Sequence, residues 1–99
     1  MAEMLFLEFA GVDEADYHKV NQELNVDMAT GAGEWPAGMT LHLAGLTDDG
    51  GFHVTEVWNS RADQERFMRE RLGAALGAAG VTAVPKVTWT RLIGHQAAP

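Results

Sequence analysis

The order in which two hydrophobic periodicities alternate along this chain constrains its fold more than any other feature. Met4 to Phe9 is an apolar and aromatic run closed by Gly11, which reads as a buried strand. Asp13 then offers a helix cap with Asp16 three residues on, and Tyr17, Val20 and Leu24 form one apolar stripe at helical spacing. That helix is expected to run to about Val26. Residues 28 to 38 hold three glycines and a proline and read as a loop. Thr40 to Ala44 and Phe52 to Asn59 alternate as strands around the turn signal Thr47-Asp48-Asp49-Gly50-Gly51. Ser60 caps a second helix whose buried stripe is Met68, Leu72, Ala75, Leu76 and Ala79, and Gly80 ends it. Lys86 to Leu92 alternates again as a last strand.

Strand, helix, two strands, helix, strand is the order of a ferredoxin-like α+β domain, a split β-α-β with a four-stranded antiparallel sheet. Ninety-nine residues fit one such domain over 1–99 and no second one. Both helices then cover one face of the sheet and leave the other bare.

Charge and composition remove several partners. A formal net charge of −7 opposes nucleic acid and anionic membrane, which are bound chiefly through Lys and Arg. The absence of cysteine excludes disulfides, thiolate nucleophiles and Cys-based metal sites, and suits a reducing, cytoplasmic setting. The N-terminal run Met4-Leu5-Phe6-Leu7 lacks a basic flank and is too short for a membrane helix.

Alternation sorts the strand residues by face. Phe52, Val54, Glu56 and Trp58 share one side, as do Thr40, His42 and Ala44, while Leu41 and Leu43 suit packing under helices. Val87, Trp89 and Arg91 share a side of the last strand. The expectation is that His42, Glu56 and Trp58 meet on the surface the helices leave bare. So much apolar area on an open face calls for a second copy to close it.

His42 is the leading candidate for chemistry, as an imidazole poised near neutral pH in a half-buried strand. Hairpin register brings Glu56 beside it, where a carboxylate fixes the tautomer. The alternative, that the two side chains only satisfy each other in the dimer core, stays open. Trp58 and Trp89 offer flat walls for an aromatic ligand, or else act as core and interface anchors. Arg91 can hold a carboxylate or phenolate, or serve as a surface charge. A metal site from His42, His53 and Glu56 is disfavoured because His53 points to the other face. Gly31 and Gly33 lack the strand-to-helix context of a phosphate cradle. They suit a surface loop, in which Trp35 is a candidate lid.

Glu56-Val57-Trp58-Asn59-Ser60, followed by a helix carrying Phe67, resembles the third-strand signature of the dimeric α+β barrel superfamily, and within it the antibiotic biosynthesis monooxygenases. Gly38-Met39-Thr40-Leu41-His42-Leu43-Ala44-Gly45 with Asp49-Gly50-Gly51-Phe52 is similar to small uncharacterised actinobacterial proteins of that fold. The resemblance implies a homodimer whose sheets form a barrel, with a pocket between sheet and helices in each subunit. It implies cofactor-independent oxygenation, or polyketide cyclisation, of an aromatic or polyketide-like ligand. His42 and Glu56 would be catalytic; Trp58, Trp89, Arg91 and Phe67 would touch the ligand. A haem role does not fit, since Phe67 and Met68 stand where a helix histidine is expected and the first strand offers only Leu5, Leu7 and Phe9. No cofactor or metal is therefore expected. A non-catalytic dimeric binding module is the alternative reading.

Overall fold

A computed structural model describes residues 2–99. The elements run β1 (Glu3–Phe9), α1 (Glu14–Leu24), β2 (Met39–Leu46), β3 (Phe52–Trp58), α2 (Arg61–Phe67), a π-helical turn (Met68–Leu72), α3 (Gly73–Ala78) and β4 (Lys86–Arg91). The sheet is antiparallel in the order β2-β3-β1-β4, the ferredoxin-like arrangement expected from the element order.

Local chemistry sets the boundaries. Asp13 and Asp16 form a reciprocal capping box at the start of α1, which ends at Asn25 in a left-handed conformation. Ser60 accepts from the Asp63 amide and opens α2. The β2–β3 turn closes through the Thr47 amide on the Gly51 carbonyl at 2.8 Å. The second helix is one rod in three parts, because its middle turn opens to π geometry and the Gly73 amide reaches back to the Met68 carbonyl. The sequence pattern places Met68 in the buried stripe of an unbroken α-helix; the surplus residue of the π turn shifts the phase there, so Phe67 is buried and Met68 is 40% exposed.

The core lies between the helices and one face of the sheet. Leu5, Val20, Leu24, Val26, Met39, Trp58, Phe67 and Ala75 are buried together there. Leu7, Phe9, Phe52, Val54, Glu56 and Trp89 face the same interior. This corrects the expected orientation of the sheet. His42, Glu56 and Trp58 do share a face, but it is the helix-covered one. Leu41 and Leu43, expected under the helices, lie on the opposite face and are 40% and 56% exposed. Alternation fixes which residues face together and is blind to which side the helices take.

A second correction concerns β2. Its register on β3 shifts between Met39 and Leu41, so Met39 stands opposite Trp58 and Thr40 is the extra residue. Met39, not Thr40, therefore enters the core, while the Thr40 hydroxyl donates to the Val57 carbonyl at 3.3 Å. Trp35 is no lid: it packs against the core, and its indole N–H donates to the Met39 carbonyl at 2.6 Å.

Candidate functional site

Two strands and α1 bring four polar side chains into one line. Pairing of β2 with β3 sets His42 directly across from Glu56. His42 Nδ1 lies 3.0 Å from Glu56 Oε2, and Trp58 Nε1–H, two residues along the same face of β3, donates to Glu56 Oε1 at 3.1 Å. From above, α1 lowers Tyr17 so that its hydroxyl meets His42 Nε2 at 2.6 Å, with the two rings within 8° of parallel. The side chains of His42 and Glu56 are only 5% and 8% exposed.

This network fixes its own proton positions. An ionised Glu56 only accepts, so His42 Nδ1 is the donor toward it. In the neutral imidazole Nε2 is then the acceptor, and the Tyr17 hydroxyl donates to it. The Tyr17 phenol is held above its ordinary value of 10.0, chiefly because burial disfavours the phenolate. The Asn21 side chain opposes this by hydrogen bonding, and the charge of Glu56 adds to it. Tyr17 is thus a neutral donor at ordinary pH. Among the described residues no buried side-chain polar atom lacks a partner.

The line of polar groups opens into a cavity of about 280 Å³ between the sheet and the helices. Its walls are aliphatic and aromatic: Leu5, Phe9 and Phe52 from the sheet, Phe67 and Leu72 from the second helix, and Trp89 from β4. Val81, Ala83 and Pro85 of the segment before β4 also line it. Among the described residues, polar character is confined to Asp16, Tyr17, Asn21, His42, Glu56 and Gln64, and no lysine or arginine lines the space.

The six residues expected at a site divide into four groups. His42 and Glu56 form the buried pair, and Phe67 and Trp89 line the cavity. Trp58 has no exposed surface and lies behind Phe67, with ring centroids 5.6 Å apart, so it backs the wall and does not reach the cavity. Arg91 is exposed at the end of β4, opposite Glu3, and lies outside the cavity. The cations near the aromatic wall are others. Arg61 sits 5.0 Å over Trp89 while bonded to Glu3, and Arg71 sits 5.3 Å over Phe67 while bonded to the Leu24 and Glu34 carbonyls. Among the described residues no cluster of three His, Asp or Glu side chains could hold a metal ion.

Sequence reasoning missed Tyr17, counted only as part of an apolar stripe. One signal was present: a tyrosine on a buried helix face needs a partner for its hydroxyl. The partner is 25 residues away, beyond local pattern.

No family model matches the chain, and no curated protein matches it in sequence. Solved structures do match in fold. A candidate antibiotic biosynthesis monooxygenase from Chloroflexus aurantiacus J-10-fl superimposes with a TM-score of 0.69 at 13% identity, over 98% of each chain. SnoaB, a cofactor-independent oxygenase from Streptomyces nogalater, gives 0.62 at 12% identity, over 99% of this chain and 96% of its own. A candidate antibiotic biosynthesis monooxygenase from Deinococcus radiodurans gives 0.62 at 18% identity, over 100% of this chain and 99% of its own. The chain therefore has the ferredoxin-like α+β fold of the antibiotic biosynthesis monooxygenase-like proteins, along essentially its whole length.

Proposed function

We propose that the protein binds a planar aromatic or polyketide-like ligand in the cavity and assists its deprotonation, as a cofactor-independent monooxygenase or a cyclase. The observation that carries this reading is the hydrogen-bonded line Tyr17–His42–Glu56–Trp58 ending at an otherwise apolar cavity. A neutral imidazole backed by a buried carboxylate is built to take a proton and to stabilise the resulting imidazolium. Proton loss leaves an electron-rich carbanion or phenolate. In the oxygenase version a ring CH₂ and dioxygen become a ring carbonyl and water, with no cofactor supplying electrons. In the cyclase version the same base removes a proton beside a ketone, and the carbanion attacks a second carbonyl of the ligand. The fold neighbours, one of them described as a cofactor-independent oxygenase, support the first version.

The protein acts as a homodimer in this reading. Phe6, Leu41 and Leu43 gather on the sheet face without helices, where Leu41 and Leu43 are the exposed apolar area a second copy would bury. Sedimentation at micromolar concentration tests it: a dimer is expected, and a clean monomer removes the barrel.

Turnover is tested by oxygen uptake with a simple hydroquinone, comparing wild type with His42→Ala. Uptake by the wild type that falls by about a hundredfold or more in the variant supports base catalysis. Equal rates in the two proteins overturn it. One observation favours a non-catalytic binding role instead: both ring nitrogens of His42 are already engaged. Binding without turnover in either protein would select that alternative.

A further inference from the structure

We propose that the Tyr17 hydroxyl, and not His42, meets the ligand's oxygen, and that the cavity selects an uncharged one- or two-ring aromatic bearing a single hydroxyl. This rests on the ligand-binding reading above and narrows it.

His42 cannot touch a ligand with either nitrogen while the network is intact. Nδ1 faces Glu56 and Nε2 faces Tyr17. Tyr17 is different. Its hydroxyl spends its proton on His42 and keeps lone pairs that can accept from a hydroxyl in the cavity it lines. A proton leaving the ligand then goes to the Tyr17 oxygen as the Tyr17 proton passes to His42 Nε2. Tyr17 ends neutral, His42 ends as imidazolium beside the Glu56 carboxylate, and the ligand ends as the anion. Charge and protons balance, and the phenolate, which burial disfavours, need not persist. Tyr17 is the contact residue here, and His42 and Glu56 act through it.

The charge of the lining sets the ligand class. Asp16 and Glu56 are the acidic residues on the walls, and no lysine or arginine faces them. An anionic ligand would enter a low-dielectric space beside a carboxylate with no cation to meet it. Arg61 and Arg71 lie over Trp89 and Phe67 but do not line the cavity, and Arg71 is already bonded to two carbonyls. A volume of about 280 Å³ lies at the small end for ligand sites, which suits one or two rings and not a long polycycle.

The test needs no turnover, so it fails separately from the catalytic reading. Binding of 2-naphthol, 2-methoxynaphthalene, naphthalene and 2-naphthoate to the full-length protein is measured by calorimetry at neutral pH. The expected order places 2-naphthol about tenfold tighter than its methyl ether and than naphthalene, with 2-naphthoate weakest. In Tyr17→Phe the advantage of 2-naphthol over naphthalene is expected to vanish while naphthalene affinity holds within about twofold, because only the acceptor is gone. Equal wild-type affinities for 2-naphthol and its methyl ether overturn the proposal, as does tight binding of 2-naphthoate or an undiminished naphthol preference in Tyr17→Phe. Should that variant fail to fold, the wild-type comparison of the four probes still decides. As a readout that a merely structural role would not move, His42→Gln is expected to abolish any shift of bound 2-naphthol toward its naphtholate spectrum. A shift that persists in His42→Gln overturns the relay.

Discussion

The two faces of the sheet use the same strands for opposite ends. On the helix side, Trp58 is wholly buried, Leu5 and Phe67 pack around it, and the hydrogen-bonded pair His42–Glu56 has every polar atom satisfied. On the other side, Leu41 and Leu43 stand open and the nearest polar neighbours, His53 and Thr55, form no comparable network. His53 there makes an edge-on contact with Phe6, ring centroids 5.1 Å apart. Buried polar groups are tolerated where hydrogen bonds are complete, and exposed leucine is tolerated where something else can cover it. The contrast teaches that one face is closed by its own helices around a satisfied polar line, while the other is left with open apolar side chains, as the proposed ligand site and dimer would require.

Substitutions on the two faces should therefore behave differently, and the largest effect is expected at the indole. Trp58→Ala removes a fully buried ring and the donor to Glu56, and should lower stability by about 3–5 kcal/mol in urea titration. Trp58→Phe keeps the ring and loses the N–H, and about 1–3 kcal/mol is expected from the unpaired carboxylate oxygen. Similar losses in both variants would mean the wall depends on the hydrogen bond more than on packing. Gly38→Ala should cost about 1–3 kcal/mol, because Gly38 sits at φ +90° and a Cβ there would fall 2.5 Å from the Asp63 carboxylate. Leu43→Asp, on the bare face, should change the unfolding free energy of the isolated subunit by less than about 0.5 kcal/mol while abolishing self-association in sedimentation. A large loss of subunit stability would erase the distinction between the faces.

The smallest expected effect is a pH slope. The folded Tyr17 phenol titrates above 10.0, the value it has in the unfolded chain. Above that point the unfolded chain has released a proton that the folded chain still holds, so stability falls as pH rises from about 10 upward. Below it the contribution is fully present. Tyr17 is the one tyrosine in the sequence, so tyrosinate absorbance reports it alone. Tyr17→Phe should flatten this part of the urea-midpoint profile. An unchanged profile would place the phenol in solvent.

Much of this was legible in the sequence, for reasons that particular residues make plain. Asp13, Ser60 and Gly50 mark boundaries by local chemistry, and the boundaries fall where they should. The pairing of His42 with Glu56 follows from the tight turn at Thr47–Gly51, which fixes the hairpin register. The orientation of the sheet was not legible, because both faces carry leucine, valine or phenylalanine and alternation is symmetric. The inward turn of Met39 depends on a bulge that no turn residue announces. Tyr17 depends on where α1 sits over β2, which is a matter of packing between distant segments.

The π turn at Met68–Leu72 has a consequence for how the binding space can change over time. Phe67 and Leu72, five positions apart, would diverge by about 140° on a regular α-helix, yet both look into the cavity. The widened turn absorbs one surplus residue without rotating α2 or α3. Loss of a single codon between them would restore a regular α turn and leave the two side chains four positions apart, still on one face. This short stretch can thus shed one residue while leaving the cavity wall, the sheet and the Tyr17–His42–Glu56 line where they are.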